Sequence, residues 1–341
     1  MGTAEAAKRP ARGVRNSITN YQLRITNFKL CFQSAVFLCA LCSFAGNLFA
    51  QDSAVNQTQT NWIAEKLLLE RTIQTGSVEQ KRDALFRIRN LENSEASRVA
   101  IPVLTDKSEI LRATAAFSVI FLPKDEAFTV LLPLLGDKRE IVRRETAYAL
   151  GKVGNPNAVN PLVQTFQTDK IADVKNACVV ALGEIGDASP IEELIKILQR
   201  KPKTEGEFLR RSAARSVGQI AQIIQTGKRE VQTPEEFLPE KYSLIEKRKH
   251  TNLFEIFPMF QTANDVLIKT LQNPAEDDDV KREAAFALGA IGAPSAIPVL
   301  QSNLDAKDYY LAKICAEALQ KISASSTLTD GNKNQPIHTN N

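Results

Sequence analysis

A motif that recurs about every 31 residues constrains the fold of this chain more than any other feature of its sequence. The best-defined copy runs from Ile141 to Gln164, and its Val142-Arg143 pair serves as the reference. Six other copies carry a corresponding pair, at Gln80-Lys81, Leu111-Arg112, Val174-Lys175, Leu209-Arg210, Val280-Lys281 and Leu311-Ala312. Successive pairs are 31, 31, 32, 35, 71 and 31 residues apart. A fixed period of this size is typical of stacked helical pairs, in which each unit buries the apolar face of its neighbour.

Each copy is predicted to form two helices joined by a short turn. The first helix of the reference copy carries apolar or small residues at helical spacing, namely Val142, Thr146, Ala149, Leu150 and Val153. Gly151 and Gly154, followed by Asn155-Pro156, predict a left-handed cap and a tight turn. A second helix begins near Asn157 and presents Val159, Leu162, Val163 and Phe166 for burial. Because neither helix covers its apolar face alone, the pattern predicts an all-α solenoid.

The stretches Val174 to Leu198 and Val280 to Leu300 repeat the pattern most clearly. The second of them nearly completes the motif A-x-x-A-L-G-x-I-G-x-x-x-A-I-P-x-L. This motif resembles HEAT repeats, specifically the short HEAT-like type first noted in phycobilisome lyases. The resemblance implies a right-handed α-solenoid of about six helical pairs with capping helices and one long insertion. For function it implies a scaffold more often than a catalyst.

Residues 1–50 differ from the repeats and predict export. Six basic residues and one acid precede or flank an apolar run at 31–50, and a polar stretch follows. This order is typical of a secretory signal peptide cleaved after Ala50. The alternative is a retained membrane anchor, because the run approaches the ~20 residues that span a bilayer.

The remaining boundaries follow from composition. We expect a disordered linker at 51–60, the repeat solenoid at 61–323 and a disordered tail at 324–341. The expected location is periplasmic or extracellular in a bacterium, or membrane-anchored and facing the periplasm if residues 31–50 are retained.

The charge balance argues against a nucleic-acid partner. The whole chain carries a net charge of +4, and residues 1–50 contribute +5 of it, which leaves −1 for the rest. A basic field of the kind that attracts nucleic acid is therefore not expected on the repeats.

No catalytic, metal or cofactor residue is predicted, and the chain is expected not to be an enzyme. Outside residues 1–50, the histidines are His250 and His338. The chain has no His-Glu dipeptide, which resemblance to the di-iron HEAT-like enzyme deoxyhypusine hydroxylase would require. A zinc site would need clustered Cys and His ligands, and no such cluster occurs in the sequence after residue 50. Cys178 and Cys315 lie in the first helices of distant repeats, so they are expected to be small buried hydrophobic residues rather than a disulfide.

A basic residue recurs once per repeat near the start of the first helix: Lys81, Arg112, Arg143, Lys175, Arg210 and Lys281. One interpretation is a stripe that binds anions or an acidic partner. The other, which we favour, is that each base pairs with an acid in a turn. Asp106, Asp137 and Asp169 lie just before three of the first helices and are suitable partners.

The 71-residue interval exposes an insertion at 226–258, where a partner-binding element is the functional hypothesis. Its aromatic side chains include Phe237, Tyr242, Phe254 and Phe257. The alternative, that they fill a widened gap in the core, stays open. Relatives of this fold place their second helices on the concave side, which adds the polar candidates Gln164, Glu193, Lys196 and Gln301.

The sequence as a whole predicts an exported scaffold or adaptor that binds a protein partner of unknown identity. Two alternatives are an accessory or lyase-like subunit acting on a bound ligand and a membrane-tethered scaffold.

Overall fold

The structure is a computed structural model that describes residues 62–202, 206–227 and 253–331, with side chains as far as 323. The predicted signal peptide and linker lie outside these residues. The chain divides into two compact units, Met1–Leu68 and Leu69–Asn341, and the helical stack belongs to the second. Among the described residues every regular element is a helix. In the same part of the chain, no helix combines the length and hydropathy that crossing a bilayer requires.

Fifteen α-helices follow one another in the described residues. The helices are α1 (62–75), α2 (Val78–Asn90), α3 (Ser94–Ala100), α4 (Glu109–Ser118), α5 (Lys124–Leu131), α6 (Glu140–Val153), α7 (Val159–Thr168), α8 (Ala172–Ile185), α9 (Ile191–Leu198), α10 (Glu207–Thr226), α11 (Leu253–Ile256), α12 (Met259–Gln272), α13 (Asp278–Ile291), α14 (Ile297–Gln301) and α15 (Tyr309–Gly331). Short 3-10 turns extend α3 (Ile101–Thr105) and α5 (Leu132–Gly136) and precede α7 (Pro156–Ala158) and α14 (Pro294–Ala296).

The helices form the predicted solenoid. The first helices of the pairs, α2, α4, α6, α8, α10 and α13, pack one on the next, and α15 closes the series. The second helices are α3, α5, α7, α9, α12 and α14. α10 packs directly on α13, and α12 packs between α9 and α13. The stack therefore continues across the insertion, and α12 is the delayed second helix of the fifth pair.

Glycine has two separate roles in these helices. Gly154 ends α6 with φ of 63°, a left-handed conformation that confirms the predicted cap. The prediction that Gly151 also helps to end α6 is wrong, because Gly151 is buried inside that helix. A Cβ atom there would lie 2.8 Å from the Cα atom of Ala181 in α8. Gly151 thus lets two first helices approach closely, which explains the Leu-Gly step in the motif.

The last helix is longer than predicted. The sequence predicted an irregular tail from residue 324, whereas α15 continues to Gly331. Among the residues of α15 whose side chains the structure describes, Ile322 is the last buried apolar one. Past that point the helix continues because each added residue gains a backbone hydrogen bond, and residues 323–330 contain neither proline nor glycine to stop it.

Candidate partner-binding surface

Four of the six recurring basic residues, Lys81, Arg112, Arg143 and Arg210, pair with acids in the turns, as the favoured interpretation predicted. We call each such pair a rung: a base of the first helix bonded to an acid in the turn after the second helix of the same pair. The first three rungs are Lys81 Nζ–Asp106 at 3.2 Å, Arg112 Nε–Asp137 at 2.8 Å and Arg143 Nε–Asp169 at 2.6 Å. These bases are at most 19 % exposed, so they are structural links and do not form an open anion-binding stripe.

Each acid of these rungs also orders its own turn. Asp137 Oδ1 accepts a hydrogen bond of 2.9 Å from the backbone N–H of Arg139, which precedes α6. Arg143 then donates to the backbone carbonyl of Asp137 at 2.8 Å. The hydrogen bond from Arg112 lowers the pKa of Asp137, so this carboxylate stays charged well into the acidic range. The line of rungs therefore ties consecutive pairs together.

The fifth rung joins α10 to the turn that follows the insertion. Arg210 Nε donates to Glu276 Oε1 at 3.1 Å, and their side chains are 4 % and 1 % exposed. Arg210 also donates to the carbonyl of Leu198 at 2.7 Å. Sequence reasoning missed Glu276 because 66 residues separate the partners. Its position in the turn before the next first helix was the available signal.

The residues predicted on the second helices do not converge on one site. Gln164, Lys196 and Gln301 are exposed on α7, α9 and α14, and Glu193 is half-buried. Lys196 Nζ bonds Glu193 at 2.6 Å, within the same helix. None of the four lines the groove described below. They remain predictions without a supporting geometry.

The insertion is described only at its ends, and Phe237 and Tyr242 lie outside the described residues. Phe254 and Phe257 are half-buried. The ring of Phe257 meets Phe260 edge-on, with centroids 6.4 Å apart, and Phe260 is fully buried. The C-terminal end of the insertion therefore contributes to the core at its junction with α12.

An open apolar groove crosses the first helices α2, α4 and α6. Its apolar walls are formed by Phe86, Ile110, Phe117 and Ile141, and it has a volume of about 230 Å³. Phe86 is 46 % exposed and Ile110 is 48 % exposed. We call this the first-helix groove. Side chains of this size normally bury most of their surface, and their exposure at one place marks a candidate contact surface.

Polar groups mark the two ends of the first-helix groove. Arg89 lies at the end near α2, with its guanidinium 5.1 Å from the centroid of the Phe117 ring. Glu145 lies at the end near α6, where Arg144 bonds it at 2.8 Å. The groove therefore offers a positive group beside its aromatic wall, while the acid at its other end is already paired.

Sequence reasoning missed this groove, although the sequence contains a signal for it. Phe86, Phe117 and Tyr148 each lie five residues after the base of their repeat. The same position is Val180 in α8 and Arg215 in α10. The position is aromatic in the first three pairs and again in α13, where Phe286 is buried. A repeated aromatic residue in a helix is equally compatible with core packing, so this position alone does not predict a groove.

Three carboxylates near the start of α13 lie close enough together to be considered as ligands for a metal ion. Oxygens of Glu207, Asp277 and Asp279 lie within 4.8 Å of one another. Asp277 accepts the backbone N–H of Asp279 at 2.8 Å and caps α13. Asp279 bonds Arg211 at 3.2 Å and also Arg282. Two of the three carboxylates therefore already have structural partners.

Comparisons with known proteins agree with this architecture. The family model for HEAT repeats matches residues 97–183 and 262–330. A stretch of 60 residues is 37% identical to deoxyhypusine hydroxylase of Drosophila melanogaster, which is 18% of this chain and 20% of that enzyme. The chain thus matches about a fifth of the enzyme's length.

Several solved structures also match this chain, each at low identity. The complex of CpcE and CpcF of phycocyanin lyase from Nostoc is 19% identical over 78% of this chain and 94% of that chain, with a TM-score of 0.44. Human deoxyhypusine hydroxylase is 19% identical over 77% of this chain and 99% of that chain, with a TM-score of 0.34. A designed armadillo repeat protein is 14% identical over 74% and 98%, with a TM-score of 0.37. The matched family model, the period and the stacked helical pairs together show that this chain contains HEAT repeats.

Proposed function

We propose that this protein is a non-enzymatic scaffold that binds a protein partner through the first-helix groove. The observation that carries the proposal is the exposure of Phe86 and Ile110 side by side with Phe117 and Ile141 in one open groove. Contiguous exposed apolar side chains with polar groups at the rim are characteristic of protein-binding surfaces. Repeat solenoids commonly bind proteins through such extended surfaces.

The groove favours a helical segment that carries apolar residues on one face. Neighbouring helices in a stack lie about 8–10 Å apart, so the apolar side chains of α2 and α4 repeat at that interval. Two residues seven positions apart on a partner helix are separated by about 10.5 Å, which matches it. An acidic residue of that helix would face Arg89, whereas Glu145 already has Arg144 as its partner.

The experiment is affinity capture of the partner with three forms of the protein. The groove variant carries Phe86→Gln and Ile110→Gln, which remove apolar surface that is already half exposed and keep good helix formers. The matched control carries Gln164→Ala and Gln301→Ala on the second helices. We expect wild type and the control to retain the partner and the groove variant to lose it, with equal thermal midpoints for all three. Retention by the groove variant and loss by the control would reverse the assignment.

We also propose that the protein acts outside the cytoplasm, on the basis of the basic start and the apolar run at 31–50. Sequencing the N-terminus of the protein from an envelope fraction tests this proposal. Gln51 as the first residue supports a cleaved signal. An intact run at 31–50 in the membrane fraction supports the tethered scaffold instead, and recovery of the intact chain from the cytoplasm contradicts both.

A further inference from the structure

The apolar walls of the first-helix groove are arranged as a contact between two copies of one chain requires. α2, α4 and α6 are equivalent helices of successive pairs, so they pack in parallel with their recurring bases at matching heights. A two-fold axis normal to this face, midway between Ile110 and Phe117, exchanges these two side chains of α4. The same axis places α2 of one copy over α6 of the other, with Phe86 opposite Ile141. The four apolar walls are therefore exchanged among themselves.

The charges beside these walls are exchanged with opposite signs. The first two residues after the base are Arg82-Asp83 in α2 and Arg144-Glu145 in α6. The two-fold brings the first of these positions in α2 opposite the second in α6. Arg82 of one copy therefore faces Glu145 of the other, and Asp83 faces Arg144. Because each contact occurs twice in a two-fold dimer, the charges make the face complementary to itself.

The centre of the face carries no charge. A charged side chain near the axis would meet the same charge of the other copy, and α4 has Ala113-Thr114 at the positions where α2 and α6 have charges. Thr114 Oγ1 donates to the carbonyl of Ile110 at 2.8 Å, and Ser118 Oγ donates to the carbonyl of Leu85 at 2.9 Å. A second copy can cover this centre without leaving either hydroxyl unpaired.

The charged groups at the edge of the face are available for such contacts. Arg82 is exposed. Glu145 receives two bonds from Arg144, at 2.8 and 2.9 Å, and both end on Oε1, which leaves Oε2 for a donor of the second copy. The axis also brings Glu79 of α2 opposite Tyr148 of α6, a carboxylate acceptor opposite a hydroxyl donor.

The size of the face sets the expected affinity. α2, α4 and α6 are 13, 10 and 14 residues long. At about 1.5 Å per residue and about 9 Å between helices, they present a face of roughly 500 Å² per copy. This area is at the small end of specific interfaces, so a dissociation constant on the order of micromolar is expected.

We propose that two copies of this chain dimerise face to face through the first-helix groove. The inference rests on the proposed function and deepens it, because it names a second copy as the partner. The groove favours a helix with apolar residues seven positions apart, and α4 itself carries Ile110 and Phe117 at that spacing.

The test is sedimentation equilibrium of the purified protein over concentrations on both sides of the expected dissociation constant. Arg82→Glu and Glu145→Arg each place like charges opposite one another twice, so each should raise the dissociation constant roughly tenfold or more. An equimolar mixture of the two variants restores opposite charges at both contacts and should dimerise like the wild type. Lys196→Glu, the same change of charge on the exposed face of α9, is the matched control and should leave the dimer unchanged.

The groove variant, Phe86→Gln with Ile110→Gln, should be monomeric over the same range. Thermal midpoints of dilute samples, in which every form is monomeric, show whether the variants are folded. A wild type that stays monomeric overturns the inference, as does a dimer that either charge variant leaves unchanged or that the mixture does not restore.

Failure of this inference is distinguishable from failure of the proposed function. If a monomeric wild type captures another protein that the groove variant loses, the partner is a different chain and the groove keeps its proposed function. If the groove variant retains the captured protein, the proposed function itself fails.

Discussion

Replacement of Gly183 by alanine tests the close packing of the first helices. A Cβ atom at Gly183 in α8 would lie 2.8 Å from the Cα and 2.6 Å from the Oγ of Ser216 in α10. The backbone cannot yield at such a distance without moving α10, and overpacking of this kind costs ~1–3 kcal/mol. Ser216 Oγ also donates to the carbonyl of Val179 at 2.9 Å, and loss of that bond costs ~1 kcal/mol. Alanine returns ~1 kcal/mol of helix propensity, so the net loss in the free energy of unfolding is ~2 kcal/mol.

The assay is urea denaturation monitored by circular dichroism, with Gly136→Ala as the control. A Cβ at Gly136 would meet no atom within 4 Å, and its φ is not positive. We expect that variant to be neutral or stabilised by up to ~1 kcal/mol. If Gly183→Ala is as stable as Gly136→Ala, the reasoning from close approach is refuted.

Two further predictions concern the rungs. Glu276→Gln leaves the buried guanidinium of Arg210 without a counter-charge, so unfolding free energy should fall by ~3–5 kcal/mol. Glu126→Gln, which breaks an exposed pair with Arg98, should leave the unfolding free energy almost unchanged, and equal losses in the two urea titrations would contradict this account. The lowered pKa of Asp137 contributes stability that is complete above its unfolded value of about 4 and is lost as pH falls below it. The thermal midpoint of the wild-type protein should therefore decrease as the pH is lowered below ~4. The decrease should be smaller for Asp137→Asn, which has no carboxylate to protonate at this position.

The sequence predicted those features that depend on residues near one another in the chain. The period predicted the stacked pairs, and Gly154 predicted a left-handed cap because its role is local. The rungs were predictable because Asp106, Asp137 and Asp169 recur at the start of the turns. The buried thiols of Cys178 and Cys315 also follow from their helical positions, and burial raises the pKa of each thiol to about 12.

Features that depend on contacts between repeats were harder to predict. Gly151 looked like part of a cap because its partner, Ala181, lies in the next repeat. Glu276 was missed because its bond to Arg210 spans the insertion. The first-helix groove depends on which side of a helix stays exposed after stacking, and helical spacing alone does not distinguish a buried Phe286 from an accessible Phe86.

The central claim is that the partner lies in the first-helix groove. The most direct test is photo-crosslinking from single positions, with p-benzoylphenylalanine placed at Phe86 or Ile110 and, as controls, at Gln164 or Gln301. The account predicts that irradiation attaches the captured partner to positions 86 and 110 and leaves positions 164 and 301 unmodified. Adducts at 164 and 301 with none at 86 and 110 would contradict it.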